Sequence, residues 1–165
     1  MKAGKNKQVY RYRLGVVAGT FSRFHAGHAW LLETAFSKCE KVIVCITTQS
    51  YAAKLNKHHP VEDYGARVKN VVRFLHERGL LERAIIYPLE DFYGPAIVRP
   101  DIEALFASEE TFLGALKVLK ERIRRGLKNM DLVVVSLLLA ENGRPVKSTR
   151  IWHGEIDEYG RTKLK

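Results

Sequence analysis

Two histidines flank a glycine in the segment His25-Ala26-Gly27-His28, which follows a short apolar run and opens a helical pattern. Because Gly27 has no side chain, a phosphate can approach the backbone closely there. The start of a helix also presents N–H groups that lack intrahelical partners and bind anions. Two imidazoles at this point can donate hydrogen bonds to phosphate oxygens where charge develops in a transition state. The segment therefore predicts phosphate chemistry; the alternatives are two surface histidines, or a metal pair without an evident third ligand.

A second polar cluster, Lys147-Ser148-Thr149-Arg150, follows the last predicted strand. Hydroxyl groups at a helix start, together with an arginine, can hold a polyphosphate. The alternative is ordinary helix capping by Ser148. The cluster gains weight from the histidine segment, because the two together would surround one phosphate chain.

Further polar residues lie in loops and on neighbouring helices. Lys54 and Arg67 are candidates for holding a substrate phosphate, and a solvated charge is the competing interpretation of each. The adjacent pair His58-His59 is interpreted as surface loop residues. Ser108 is expected to cap a helix whose first turn contains Glu109, at a strand end that a ligand can reach.

The elements that position these residues follow from hydrophobic periodicity. Buried strands are expected at residues 14–18, 42–46, 84–87, 102–107 and 132–139, helices at 29–39, 61–78, 109–125 and 148–156, and a loop at 47–60. This order predicts an α/β fold, a Rossmann-like five-stranded, mostly parallel sheet with helices on both faces. Ligands of such sheets bind beyond the carboxyl ends of the strands, which places the histidine segment at the expected site.

The chain of 165 residues is expected to form one domain, with basic tails at 1–12 and 160–165. It shows no signal-peptide pattern and no apolar run that could span a bilayer. Cys39 and Cys45 form no C-x-x-C pair, which favours reduced thiols in a cytoplasm. The net charge of +10 favours anionic partners. No aromatic-interleaved basic motif typical of RNA binding is present, so neither nucleic acid nor a membrane is expected as a partner; the patterns predict no oligomeric state.

Several motifs together resemble a known family. Gly19-Thr20-Phe21 with His25-x-Gly27-His28 resembles the H-x-G-H nucleotidyltransferase superfamily. The remaining motifs closely resemble the archaeal type of phosphopantetheine adenylyltransferase; they are Asp91-Phe92-Tyr93-Gly94-Pro95-Ala96, Ser108-Glu109-Glu110-Thr111, Ala140-Glu141-Asn142-Gly143 and Ser148-Thr149-Arg150-Ile151-x-x-Gly154-Glu155-Ile156-Asp157. The resemblance covers residues 14–160.

The resemblance implies that the phosphate of 4′-phosphopantetheine attacks the α-phosphorus of ATP, usually with Mg²⁺ carried by the nucleotide, and gives dephospho-coenzyme A and pyrophosphate. It implies catalytic roles for His25, His28, Lys54 and Arg150. The implied ATP contacts are Gly19, Phe21, His25, His28, Ser148, Thr149 and Arg150, and the implied acceptor contacts are Thr20, Lys54, Arg67, Ser108 and Glu109. No protein metal ligand is implied.

The chain departs from the family pattern at several positions. Ser22 and Arg23 replace an Asp-Pro pair, Lys147 replaces a serine, Trp152 an arginine and Leu119 an asparagine. Two alternatives therefore stay open. One is nucleotidyl transfer to another acceptor, such as nicotinamide mononucleotide, a flavin phosphate or a phospho-alcohol. The other is a non-catalytic relative that binds nucleotide or nucleic acid through its charge.

Overall fold

The computed structural model describes residues 7–164, so residues 1–6 of the first predicted tail and Lys165 of the second lie outside it. The strands are β1 (Tyr12–Gly19), β2 (Cys39–Thr47), β3 (Ala84–Leu89), β4 (Ala104–Ser108) and β5 (Asp131–Val135). The helices are α1 (Ala26–Lys38), α2 (Gln49–Ala53), α3 (Tyr64–Glu77), α4 (Phe112–Arg124) and α5 (Ser148–Trp152). Short 3₁₀ turns lie at Leu81–Arg83, Gly94–Ile97 and Glu109–Thr111.

The five strands form one sheet in the order β3-β2-β1-β4-β5, and every neighbouring pair is parallel. The predicted α/β, Rossmann-like architecture is therefore confirmed. The chain moves outward from β1 to β3 and then returns to add β4 on the other side of β1. This reversal separates the loops that follow β1 and β4, and a crevice opens between them at the carboxyl edge of the sheet.

Two apolar layers cover the two faces of the sheet, because alternate residues of each strand point to opposite sides. Val42 and Val44 of β2 pack with α1 and α3, whereas Ile43 and Cys45 pack with α4 and the 3₁₀ turn Gly94–Ile97. Helices therefore cover both faces, as predicted. Within residues 7–164, no helix is long and apolar enough to cross a membrane.

Some predicted boundaries were wrong. The expected loop at 47–60 contains the short helix α2, which Thr48 caps by accepting a hydrogen bond from the Tyr51 N–H. The fifth strand ends at Val135 instead of residue 139, because β4, its one neighbour among residues 7–164, ends at Ser108 in register with Val135. The residues that follow Val135 turn into the crevice instead.

The carboxyl-terminal segment also differs from the prediction. The last helix ends at Trp152 instead of residue 156, and Gly154 with a φ of 72° follows it. The predicted tails are partly structured: β1 begins at Tyr12, and Thr162 donates both its N–H and its hydroxyl to Glu141. The segment after α5 is thus bound to the loop after β5 and is not a free tail.

Candidate active site

A cavity of about 480 Å³ lies at the carboxyl edge of the sheet, between the loops that follow β1 and β4. Its polar wall is formed by residues from four segments of the chain: His25 and His28, Lys57 to His59, Ser108 with Glu110 and Thr111, and Lys147 to Thr149. Its apolar wall includes Trp30, Leu31, Leu55, Phe106, Leu137 and Leu138. A lining that combines charged and apolar groups fits a ligand that carries both phosphates and an uncharged part.

His25 caps the amino terminus of α1 with its own ring. Its Nδ1 accepts hydrogen bonds from the N–H of Gly27 at 3.0 Å and from the N–H of His28 at 3.3 Å. The N–H of Ala26 donates to the Glu158 carbonyl at 2.8 Å. The expectation that the first N–H groups of this helix are free to bind an anion was therefore wrong, because the chain itself satisfies them.

The same hydrogen bonds fix where the imidazole protons lie. Nδ1 of His28 accepts from the N–H of His25 at 3.3 Å, so Nδ1 is an acceptor in both rings. A neutral imidazole with an acceptor at Nδ1 carries its proton on Nε2. Burial lowers the pKa of His25 to about 4, with a contribution from His59, and burial lowers the pKa of His28 well below its usual value. Both rings are therefore neutral at pH 7, and each can offer an Nε2–H donor to a ligand.

Gly27 is needed for this arrangement. A Cβ at Gly27 would lie 2.9 Å from Cε1 of His25, closer than real Cβ contacts come, and 3.0 Å from its Nδ1, tighter than nearly all of them. The glycine therefore makes room for the His25 ring over the helix start. The sequence had suggested a different reason, close approach of a phosphate to the backbone.

The loop after β1 holds two residues in the left-handed region, Phe21 with φ 54° and Arg23 with φ 48°. Such positions cost on the order of 1–3 kcal/mol each for residues other than glycine, and they concentrate at functional sites. Phe21 is buried against Gly19, where a Cβ would lie 3.1 Å from the Phe21 ring. Gly19 and Phe21 both line the cavity, whereas Thr20 is buried beside them and does not.

Two predicted site arginines are engaged inside the chain and do not line the cavity. Arg67 is fully buried, and its guanidinium donates to the carbonyls of Thr20 at 2.9 Å, Thr47 at 2.8 Å and Glu62 at 2.9 Å. These bonds join the ends of β1 and β2 to the start of α3. Arg67 thus holds the strand ends that carry the site in place and does not itself line the cavity.

Arg150 is 6% exposed and braces the segments around α5. Its guanidinium donates to Glu155 at 2.8 Å, to the Pro145 carbonyl at 2.7 Å and to Asn142 Oδ1 at 3.1 Å. Every nitrogen of the group has a partner of this kind, so the arrangement does not present Arg150 to a phosphate in the cavity. The Asn-Gly turn and the Gly-Glu pair of the family motif are the segments that Arg150 joins.

Of the two lysines in the loop after α2, Lys57 lies at the cavity and Lys54 does not. Both side chains are exposed, but Lys54, which follows α2, lies outside the cavity wall, whereas Lys57, three residues later, is part of that wall. Burial lowers the pKa of Lys57. Sequence reasoning missed this residue because both lysines stand in one polar loop, and the turn after α2 decides which of them enters the cavity. Asn56, with a φ of 45°, makes that turn.

The α5 residues Ser148 and Thr149 line the cavity, as expected, but Ser148 does not cap the helix through its side chain. Its hydroxyl donates to the Ser22 carbonyl at 2.7 Å, which ties α5 to the loop after β1. Thr149 Oγ1 lies 3.1 Å from Nδ1 of His59, and Nε2 of His59 lies 3.1 Å from Ser22 Oγ. His59 was interpreted from the sequence as a surface residue; it joins two walls of the cavity, and no spacing signature marked it.

The motif after β4 contributes Ser108 and Glu110 to the cavity but not Glu109. Ser108 closes the turn with Thr111, whose hydroxyl accepts from the Ser108 N–H at 3.1 Å. Glu110 pairs with Lys147 across the cavity. Glu110 is the only carboxylate of the cavity wall, and within residues 7–164 no group of three or more His, Cys, Asp or Glu side chains is arranged around a metal position.

Two departures from the family motifs contact each other. The Arg23 guanidinium lies over the Trp152 ring, 4.4 Å from its centroid. A cation over an indole face contributes about 0.5–1 kcal/mol at exposed sites. Arg23 and Trp152 thus form a second link between the loop after β1 and α5.

Comparison with known proteins agrees with this geometry. The profile of the cytidylyltransferase-like family matches residues 16–153. The phosphopantetheine adenylyltransferase of Methanopyrus kandleri is 38% identical over 90% of this chain and 93% of its own length. That of Methanosarcina barkeri is 40% identical over 89% of this chain and 91% of its own length.

A solved structure agrees at the level of the fold. A bifunctional NMN adenylyltransferase/ADP ribose pyrophosphatase from Francisella tularensis superposes with a TM-score of 0.60 at 17% identity, covering 86% of this chain and 41% of that protein. The sequence resemblance over nearly the whole chain, together with the paired histidines at the sheet crevice, shows that this chain belongs to the cytidylyltransferase-like family and, within it, to the archaeal phosphopantetheine adenylyltransferases.

Proposed function

We propose that this chain transfers the adenylyl group of ATP to 4′-phosphopantetheine, giving dephospho-coenzyme A and pyrophosphate. A phosphate oxygen of the acceptor forms a bond to the α-phosphorus as the bond to the β-phosphate bridging oxygen breaks. The observation that carries the proposal is the pair of neutral imidazoles, both presenting Nε2–H donors at the switch point of the sheet. The names of its relatives supply the substrates.

His25 and His28 would bind the phosphates of ATP and stabilise charge on the oxygens around the α-phosphorus. Preorganised donors of this kind need no reorganisation during reaction, which is why they lower the barrier. Ser148 and Thr149 also line the cavity. Lys57 would hold the acceptor phosphate, because it lies close enough to His28 to lower the pKa of that ring, whereas Lys147, the other lysine of the cavity wall, is paired with Glu110. The apolar wall around Trp30 and Leu137 would take the uncharged parts of the substrates.

We further propose that Mg²⁺ enters bound to the phosphates of ATP. The cavity wall presents one carboxylate, Glu110, and that group is paired with Lys147, so the residues suit phosphate better than a protein-held ion. When bound, the ion would neutralise charge on the leaving pyrophosphate. We also propose a cytoplasmic location, in keeping with two free buried cysteines.

Acceptor-dependent release of pyrophosphate from ATP tests the proposal. We expect rapid release with 4′-phosphopantetheine, and only background release with nicotinamide mononucleotide, flavin mononucleotide or a phospho-alcohol. Replacement of ATP by CTP should lower the rate and would report the choice of nucleotide. Release that requires one of the other acceptors would refute the assignment, and nucleotide binding without turnover for any acceptor would indicate a non-catalytic relative.

A further inference from the structure

His59 stands in the middle of a chain of hydrogen bonds that runs from α5 to the start of α3. Thr149 Oγ1 and Nδ1 of His59 are 3.1 Å apart, as are Nε2 of His59 and Ser22 Oγ. The Ser22 hydroxyl continues the chain to Glu62 Oε1 at 2.6 Å, and the other Glu62 oxygen accepts from the Arg23 N–H at 2.7 Å. Three segments of the cavity wall meet in this chain.

The direction of each hydrogen bond follows from the chemistry of Glu62. Burial opposes its ionisation, but the hydrogen bonds from Ser22 and from the Arg23 N–H outweigh burial and lower the pKa of Glu62. An ionised carboxylate can only accept hydrogen bonds, so the Ser22 hydroxyl donates its hydrogen bond to Glu62. Ser22 Oγ must then accept from Nε2–H of His59. A neutral His59 with its proton on Nε2 has only a lone pair at Nδ1, so the Thr149 hydroxyl donates to it.

This direction has a consequence inside the cavity. While the Thr149 hydroxyl donates its hydrogen bond to His59, it can offer a ligand only its lone pairs. Phosphate oxygens also carry lone pairs, so the two groups cannot form a hydrogen bond in this arrangement. A phosphate beside Thr149 therefore requires the hydroxyl proton to turn towards it. The neutral His59 would then lose its partner at Nδ1, whereas a protonated His59 would donate from both nitrogens and keep both neighbours.

We propose that His59 is a positioning residue that takes up a proton when phosphate binds. The proton comes from solvent and adds to Nδ1; the Thr149 hydroxyl keeps its proton and turns it to the phosphate, while Thr149 Oγ1 accepts from the new Nδ1–H. Nε2–H of His59 continues to donate to Ser22. This inference rests on the proposed phosphate site and adds a residue and a proton that the family motifs do not contain.

The charges that face His59 favour a neutral ring without a ligand and a protonated ring when phosphate is bound. Without a ligand, burial lowers the pKa of His59, Arg23, Lys57 and His58 lower it further, and Glu62 alone raises it. His25, which also interacts with His59, is neutral at pH 7. His59 is thus neutral at pH 7 in the absence of a ligand. An anion in the cavity raises the pKa of His59. The part of the phosphate affinity that depends on protonation of His59 is therefore fully present below the pKa of the free protein, and it is lost as pH rises through the pKa of the phosphate-bound protein.

Calorimetric binding of inorganic pyrophosphate near neutral pH tests the proposal. Titrations in buffers that differ in ionisation enthalpy give the number of protons taken up, and pyrophosphate's own titration is common to every variant. We expect wild-type protein to take up more protons than His59→Gln, by up to about one per site. Thr149→Val should lose the same uptake, because it has no hydroxyl proton to redirect. The exposed His76→Gln, outside the cavity, should match wild type.

A measurement on the wild-type protein makes the test independent of whether the variants fold. The NMR titration of the His59 ring should show a higher pKa with pyrophosphate bound than without. Equal proton uptake in wild type and His59→Gln, an unchanged His59 titration, or no binding of pyrophosphate would each overturn the proposal. The first two results would leave adenylyl transfer intact, since acceptor-dependent pyrophosphate release is measured separately.

Discussion

The rings of His25 and His28 stack almost parallel, with centroids 3.7 Å apart and an angle of 18° between their planes. Two imidazolium ions could not remain in this contact, so the stack itself favours neutral rings. Their two Nδ1 atoms accept from backbone N–H groups at the start of α1. The helix terminus thus sets the orientation and the tautomer of both side chains.

The replacement His28→Ala should lower turnover by two or more orders of magnitude, because loss of one preorganised transition-state donor has an effect of that size. Pyrophosphate release under saturating substrates measures it. His76→Ala, an exposed change on α3, serves as the control and should leave turnover unchanged. A His28→Ala variant with the wild-type rate would remove His28 from the reaction.

Stability should fall as pH is lowered from about 6.5 towards 4. The unfolded chain takes up a proton at His25 in this range and the folded chain does not, because burial lowers the folded pKa of His25 to about 4. This group alone would remove at most about 3 kcal/mol from the free energy of unfolding, and the lowered pKa of His28 acts in the same direction.

The variant His25→Asn shows how much of the pH dependence of stability comes from His25. Asparagine is a favourable cap residue but does not titrate, so the decline in stability between these pH values should become shallower. Denaturant unfolding at a series of pH values gives the slopes. Parallel slopes for His25→Asn and wild type would contradict the assigned pKa of His25.

The replacement Gly27→Ala should reduce turnover at least tenfold while changing the melting temperature by only a few degrees. The added methyl group displaces the His25 ring, but alanine also raises helix propensity by about 1 kcal/mol. Gly114→Ala is the matched helical control, since its Cβ would make an ordinary 3.4 Å contact with Phe92. Comparable losses in the two variants would mean that Gly27 has no special relation to His25.

The pair Lys57→Met and Lys54→Met distinguishes the two lysines of one loop. We expect Lys57→Met to raise the KM of the phosphorylated acceptor at least tenfold, because a charge-assisted phosphate contact is lost. Lys54→Met should stay within about twofold, as expected for a solvated surface charge. If Lys54→Met raised the KM and Lys57→Met did not, the acceptor phosphate would be bound by Lys54, as the family resemblance implied.

The replacement Arg150→Lys should lower the free energy of unfolding by about 2 kcal/mol, because an ammonium group cannot reach the separate acceptors that the guanidinium joins. Arg73→Lys, an exposed change on α3, should stay within about 0.5 kcal/mol. Chemical denaturation measures both. If Arg150→Lys keeps its stability but raises the KM of ATP, Arg150 contacts the nucleotide directly.

Local patterns were sufficient for the five strands, for helices α1, α3, α4 and α5 and for the family, but not for α2. Apolar runs bounded by glycine and polar residues predicted five strands, and the alternation with helices predicted the parallel sheet. Predictions failed where neighbours decide the outcome. The segment from Leu132 to Leu139 is apolar except for Ser136, but β5 stops at Val135, because β4 offers no further partner.

The same division holds within the candidate site. The sequence by itself identified the histidine pair, Gly27 and the Ser148-Thr149 wall, because residue types at a strand-to-helix turn carry that information locally. Only the tertiary structure decided that Arg67 and Arg150 face inward, that Lys57 replaces Lys54 at the cavity, and that His59 joins Ser22 to Thr149. These outcomes depend on contacts between segments as far apart in the chain as 90 residues, and no local pattern specifies which donor finds which acceptor across such a distance.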